Sequence, residues 1–254
     1  MHFRLQKCSV RVIIGRERDE RMVEMELNER QRAILLKLNE TGRVRVSSLS
    51  RDLFFSEMTI RRDLEKMEKA GLLKRTHGGA IENLKDFEYP VNLRSEINKE
   101  QKKHLAQQAT RFLSDGQLIF FNSSSTLAYI LPYLSNYKNI RVVTNSVYLL
   151  SILAQMHVPV SLTGGRYNEI EQSLSGRQAE AFLSEINPDI AFLSCEALSD
   201  DGRVTDSDED LAEIAKIAVR KSRVSVMLMD RSKLGTMCSY DVCSTDQLDG
   251  VILF

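Results

Sequence analysis

Ser56-Glu57-Met58-Thr59-Ile60-Arg61-Arg62-Asp63-Leu64, followed by Arg75-Thr76-His77-Gly78-Gly79-Ala80, decides how the first third of the chain folds. The Ser56 hydroxyl can accept from the free amides of a first helical turn, so a helix is expected to open there. Ile60, Leu64 and Met67 follow at i, i+4 and i+7 and predict its buried face. Glu57, Met58, Thr59, Arg61 and Arg62 are left for the other faces near its start. Gly71 stops the helix. Residues 72–76 then read as a strand, Gly78-Gly79 as its turn and Ala80-Ile81 as the return. A helix N-terminus carrying hydroxyls and guanidinium groups suits base edges and phosphates in a major groove. A basic hairpin beside it suits the neighbouring backbone or the minor groove.

Upstream, Ile34, Leu35 and Leu38 form a helical stripe that Gly42 ends. Val44 and Val46 alternate with Arg43 and Arg45 and suggest a short strand. Ser47 or Ser48 is expected to cap a second helix carrying Leu49 and Leu53, with Phe54-Phe55 as the turn. Three helices and a hairpin over residues 25–81 describe a winged helix-turn-helix. Its expected DNA contacts are Ser56, Glu57, Met58, Thr59, Arg61, Arg62, Lys74, Arg75, His77 and Gly78. Thr59 and Arg62 are assigned to the groove, Arg61 or Arg75 to a phosphate clamp, and Lys74 to a weaker point charge. His77 caps the hairpin, meets the backbone or packs. The bland alternative pairs Arg61 and Arg62 with Asp63 and Glu65 in surface salt bridges, as most helical arginines are.

Charge supports the DNA reading. The formal net charge is zero, yet residues 1–81 carry 18 Lys+Arg against 12 Asp+Glu, and residues 82–254 carry 17 against 23. A nucleic-acid reader joined to an acidic partner domain has this asymmetry. Four cysteines without a CxxC pair predict reduced thiols, no metal site and no cofactor. No apolar run approaches a membrane span, and Arg4, Lys7 and Arg11 break up the start without a small-residue cleavage site. A cytoplasmic protein is expected. The charge run at residues 16–21 and the fresh start at Met25 suggest that residues 1–24 are a dispensable extension.

Residues 82–97, with Pro90 and little periodicity, read as a linker. Beyond it, a helix with Leu105, Ala109, Phe112 and Leu113 on one face precedes alternating strands and helices. Strands are expected at residues 118–121, 140–143, 158–162, 190–193, 224–229 and 251–253, with helices at 127–134, 147–156 and 211–221. That alternation predicts a mainly parallel, Rossmann-like α/β domain over residues 98–254. Ligands of such sheets bind beyond the carboxyl ends of the strands. Those positions hold Asn122-Ser123-Ser124-Ser125-Thr126, Thr144-Asn145-Ser146 and Gly164-Gly165-Arg166, which with Lys233 could cradle an oxyanion. Taken singly, each serine or asparagine more often caps a helix.

The run Ser56-x-x-Thr59-Ile60-Arg61-Arg62-Asp63-Leu64, with Gly42, Val44, Val46, Leu49, Gly71 and His77-Gly78-Gly79-Ala80, resembles the signature of the DeoR family of bacterial transcriptional regulators. Thr144-Asn145-Ser146, Gly164-Gly165, Gly176, Asp189-x-Ala191-Phe192 and Asp230-x-Ser232-Lys233-x-Gly235 carry the likeness on, so that it spans residues 28–253. The resemblance implies a winged helix joined to a sugar-phosphate sensor that resembles phosphosugar isomerases, acting as a repressor of a carbohydrate operon. It implies double-stranded operator DNA, a small-molecule effector and a homo-oligomer as partners. The chain departs from the family at Asn122 and Ser124, which stand for Asp and Gly, at Asn168 for an Arg, and at Ala215 for a Lys. It also stops at Phe254, where relatives continue, and a shortened C-terminus is expected.

Two other functions follow from the same residues. A sugar-phosphate isomerase would need a base among Asp206, Asp208, Glu209, Asp210 and Asp230, with Lys233 on the carbonyl. An acidic helix start explains residues 208–210 more simply, so no catalysis is expected. A regulator with a degenerate, ligand-independent sensor is the other alternative.

Overall fold

The computed structural model describes residues 10–16, 19–82 and 90–254. The chain divides into two compact units, Met1–Ile97 and Asn98–Phe254. Strands β1 (Val10–Arg16) and β2 (Asp19–Leu27) pair antiparallel, from Val10 opposite Leu27 to Arg16 opposite Asp19. Of the expected N-terminal extension, residues 1–9, 17 and 18 lie outside the described residues. The rest is a paired ladder and not an untied charge run. The alternation Val10-Arg11-Val12 is a strand signal that the adjacent charges obscured.

Helix α1 (Glu29–Thr41) opens on a capping box: Gln31 N donates to Asn28 Oδ1 at 3.0 Å, and Asn28 N to Gln31 Oε1 at 3.1 Å. It ends at Gly42, left-handed at φ 67°. Strand β3 (Arg43–Arg45) leads straight into α2 (Val46–Leu53). Neither Ser47 nor Ser48 caps α2; both lie inside it, and Arg45 occupies the cap without a side-chain bond. A first-turn amide is satisfied from elsewhere: Val46 N donates to Gly78 O at 2.8 Å. Helix α3 (Glu57–Lys69) follows the turn at Phe54-Phe55.

Strands β4 (Leu73–Thr76) and β5 (Gly79–Glu82) form the wing, in a sheet of order β3-β5-β4. Thr76 stands opposite Gly79, so the turn is His77-Gly78, not Gly78-Gly79. Gly79 has a different reason to be glycine. A Cβ there would lie 1.8 Å from the Val44 carbonyl oxygen, so a side chain would push β3 off the wing. The core of this unit joins Leu27, Ile34, Leu38, Val46, Leu49, Ile60, Leu64 and Met67. Each such buried side chain contributes about 1.5–3 kcal/mol. Within the expected linker, residues 83–89 lie outside the described residues. The short helix α4 (Val91–Arg94) instead belongs to this unit, with Leu93 in its core.

The second unit begins with α5 (Lys99–Ala109) and builds a six-stranded parallel sheet. In chain order come β6 (Leu118–Phe121), β7 (Arg141–Thr144), α6 (Val147–Gln155) and β8 (Val160–Leu162). Then follow β9 (Arg166–Asn168), β10 (Ser173–Ser175), α7 (Arg177–Ser184), β11 (Ile190–Leu193), β12 (Ala197–Leu198) and β13 (Arg203–Asp206). Helix α8 (Glu209–Lys221), β14 (Ser225–Met229), β15 (Tyr240–Ser244) and β16 (Gly250–Leu253) complete it. The sheet order is β16-β14-β11-β6-β7-β8, and all six strands are those expected from the alternating runs. Residues 127–134 are 3-10 turns and not an α-helix; Pro132 lacks the amide an α-helical ladder needs at that point. The antiparallel sheet β12-β13-β15, the β9–β10 hairpin and helix α7 were not anticipated. Their strands are mostly two to four residues long, too short for a period to declare itself.

Two apolar layers flank the sheet. Phe121 and Phe192 stack at 5.4 Å on the face covered by α5 and α6. Phe120, Leu193 and Met227 face the α7 and α8 side. Among the described residues no helix is long and apolar enough to cross a membrane.

Candidate nucleic-acid interface and effector cradle

The start of α3 is organised by hydroxyls. Thr59 N donates to Ser56 Oγ at 3.2 Å, and the Ser56 and Thr59 hydroxyls lie 2.9 Å apart. Thr59 is half-buried, whereas Ser56, Glu57, Met58, Arg61 and Arg62 are exposed. Arg61 pairs with Glu57 at 3.2 Å, one turn back. Arg62 has no ion pair among the described residues. On the wing, Lys74, Arg75, His77 and Gly78 are all exposed, which removes a packing role for His77. The Arg75 guanidinium stands 3.9 Å from Glu68, loosely enough to be redirected. All ten expected DNA contacts thus lie at the start of α3 or on the wing of one folded unit.

The salt-bridge alternative holds for Arg61, through Glu57, but not with the partners expected, Asp63 and Glu65. Glu65 pairs with Lys69 at 2.9 Å. Asp63 is buried and turned inward, where it accepts from Arg30 Nε and from Gln31 Nε2, the latter at 3.2 Å. Arg30 also lies over the Phe55 ring, 4.4 Å from its centroid. The start of α1 therefore locks α3 and the turn before it. Sequence reasoning missed this clamp because residues 30 and 63 are far apart along the chain. Phe54, in that turn, is left-handed at φ 59° and 91% exposed.

In the second unit, β6, β7 and β8 are neighbours, so their carboxyl-end loops lie side by side as expected. Their polar side chains, however, are mostly bonded within the protein. Ser123 Oγ donates to Glu171 O at 3.1 Å, and Ser124 Oγ accepts from Thr126 N at 3.1 Å. Thr144 Oγ1 donates to Phe121 O at 2.7 Å, and Ser146 Oγ caps α6 through Leu149 N at 3.2 Å. Asn145 Nδ2 donates to Leu174 O at 3.1 Å. The β9–β10 hairpin covers this edge: Ser146 bridges Ser173, and Val147 N donates to Gln172 O at 2.8 Å. Asn168 shapes the hairpin, its Oδ1 accepting from Ile170 N and Glu171 N at 3.0 and 3.1 Å. Ala215 packs into the core, and Lys216 beside it pairs with Glu213 at 3.4 Å. Three buried oxygens in this region, Thr126 Oγ1, Asn145 Oδ1 and Ser173 Oγ, have no hydrogen-bond partner among the described residues.

The strand order reverses between β6 and β11, which places the switch-point crevice beside Asn122. Asn122 spans it. Its Nδ2 donates to Ser194 O and its Oδ1 accepts from Ser194 N, both at 3.0 Å. A carboxylate could accept from that amide but could not donate to the carbonyl. Lys233 closes the same crevice, donating to Ser194 Oγ at 3.1 Å and Cys195 O at 2.7 Å. From the other side, buried Lys102 donates to Ser125 Oγ at 3.0 Å. Nearby, Asp206 is pushed up to about 7, by burial first, against the hydrogen bond from the Asp208 amide, with Glu196 and Glu171 raising it further and Lys233 opposing them. Ser194, Asp206 and Lys102 were not among the expected cradle residues. Ser194 follows a strand as Asn122 and Asn145 do, and that position was the available signal.

Gly164, Gly165 and Arg166 lie apart from this crevice, beside α7. Gly165 sits at φ 118°, and a Cβ there would lie 2.5 Å from Ser175 O, so only glycine lets the hairpin fold back. Arg166 pairs with Asp210, at the edge of a cleft of about 460 Å³ lined also by Ser175 and Arg177. Of the candidate bases, Asp208 caps α8 through Leu211 N at 3.1 Å, and Asp230 accepts from Ser232 N at 3.0 Å. Cys195, Cys238 and Cys243 are free thiols. Among the described residues no group of three or more His, Cys, Asp or Glu is placed to hold a metal ion.

A winged helix-turn-helix with an exposed cationic helix start, followed by a parallel α/β unit with a polar switch-point crevice, defines a two-part DNA-binding regulator. The DeoR-like helix-turn-helix domain matches residues 30–85, and the DeoR C terminal sensor domain matches residues 97–253. The HTH-type transcriptional regulator GlpR of Haloferax volcanii is 33% identical over 87% of this chain and 87% of its own length. The L-fucose operon activator of Haemophilus influenzae is 32% identical, over 82% and 84%. The lactose phosphotransferase system repressor of Staphylococcus aureus is 28% identical, over 90% and 92%. The chain belongs to the DeoR family, and it is a DNA-binding transcriptional regulator.

Proposed function

We propose that this regulator represses a carbohydrate-utilisation operon and leaves its operator when a phosphorylated sugar or related metabolite binds the second unit. It acts in the cytoplasm as a homo-oligomer reading paired half-sites and turns over no substrate. The observation that carries the DNA half is Arg62: exposed, without an ion pair among the described residues, and within two turns of the capped start of α3. Related proteins named for fucose and lactose operons support the carbohydrate assignment. Operator affinity needs only to differ between ligand-bound and free states for release to follow.

The test is a mobility shift on the gene's own upstream region, repeated with a panel of sugar phosphates. Release by one compound is expected, and turnover of any compound in the panel would reverse the non-enzymatic assignment. Arg62→Ala is expected to weaken binding at least tenfold at ~0.15 M salt while circular dichroism stays unchanged. Undiminished binding would remove Arg62 from the interface. A ligand-independent sensor is the second reading, and one observation favours it. Asn122 and Lys233 already span the crevice with internal bonds, so a ligand must break them to enter. Indifference to every compound in the panel would select that reading.

A further inference from the structure

We propose that Met58 reads thymine, through apolar contact between its side chain and a thymine C5-methyl in the major groove of the operator. The proposal rests on α3 being the groove-facing helix. Met58 sits on the first turn of α3 and is 64% exposed, whereas Ile60, Leu64 and Met67 of the same helix are essentially sealed. It belongs to none of the apolar clusters formed by the described residues. Its neighbours along α3 are Glu57, Arg61 and Arg62, all exposed, and the exposed Phe54 and Phe55 stand in the turn just before the helix. The two arginines on the same helix start suit a polyanion, which brings Met58 up to the base edges.

A thioether is only a weak acceptor, so the donors and acceptors of the groove wall give it little to bond. The thymine methyl is the one apolar group that base pairs present there. Methionine's three rotatable bonds let it follow a methyl without demanding one fixed helix depth. The neighbouring Thr59 is less free to do this, because it is half-buried and its hydroxyl is engaged with Ser56 at 2.9 Å.

The test uses a duplex recovered by the full-length protein from a randomised pool. Each thymine is then replaced singly by deoxyuridine, which removes one methyl and keeps every base-pair hydrogen bond. At one or two positions per half-site, the replacement is expected to weaken wild-type binding about threefold to tenfold. In Met58→Ala the thymine-to-uracil ratio at those positions should fall to about one, and Met58→Leu should keep most of it. Indifference of the wild type to every replacement overturns the proposal. So does a recovered site without thymine, or a ratio that survives in Met58→Ala. Arg62→Ala on the same duplex separates the two levels of the argument. If it weakens binding and keeps the ratio, α3 stands as the reader. If it binds unchanged, Arg62 leaves the interface, and the thymine-to-uracil ratio in Met58→Ala alone then upholds or overturns the placement of Met58 in the groove.

Discussion

Single side chains in this protein take their roles from what stands within a few ångströms of them. Asn122 is the clearest case. From the sequence it is a polar residue in a ligand loop. In the folded chain its amide spans β6 and the end of β11, using both a donor and an acceptor. Asp206, across the same region, is held near neutrality by burial and neighbouring carboxylates, with its carboxyl at about 7. Its folded value lies above the unfolded value of 3.8, so the folded state keeps its proton where the unfolded state has lost it. The contribution of Asp206 to native stability therefore falls as pH rises from about 4 to about 7, by up to ~1.4 kcal/mol per pH unit. Asp206→Asn, which cannot ionise, should escape that loss. In urea unfolding at pH 5, 6, 7 and 8, the variant is expected to gain on the wild type up to pH 7 and then hold its advantage. A constant difference across the four pH values would mean that Asp206 titrates normally.

At the scale of elements, the instructive unit is the clamp between α1 and α3. The helices were legible because their apolar residues recur at helical spacing and their ends carry Asn28, Ser56, Gly42 and Gly71. Which face of α3 Asp63 occupies was not legible. An aspartate next to two arginines reads as a surface partner for them, yet Asp63 points inward to Arg30 and Gln31. The two readings differ in energy. An exposed bridge contributes well under 1 kcal/mol. Removing a buried acceptor from two donors costs about 2–3 kcal/mol. Asp63→Ala is expected to destabilise the first unit by that larger amount in denaturant unfolding, with Asp63→Asn recovering part of it. A loss below ~0.5 kcal/mol would return Asp63 to the surface category. The wing makes the same point with glycine. A Gly-Gly pair reads as a turn, but only the cross-strand register shows that Gly79 is small because the Val44 carbonyl lies against it.

For the whole molecule, the division at Ile97 and Asn98 leaves each unit with apolar clusters of its own. Residues 98–254 expressed alone are therefore expected to unfold in one cooperative thermal transition and to show no operator binding. A non-cooperative melt would mean that the sheet depends on the first unit for its stability. Local sequence determined a good deal of this molecule. Helices α1 and α3 of the reader, the cationic start of α3, and the six strands of the sheet are carried by short-range periodicity and, at those helix ends, by capping chemistry. Those depend only on residues within a few turns of one another. Tertiary structure alone decided the rest: the inward aspartate, the hairpin over the cradle, and the crevice shut by Asn122, Lys233 and Ser194. Each of those joins residues roughly 30 to 70 positions apart. A hydrogen bond across such a span depends on strand order and register, which no local pattern encodes.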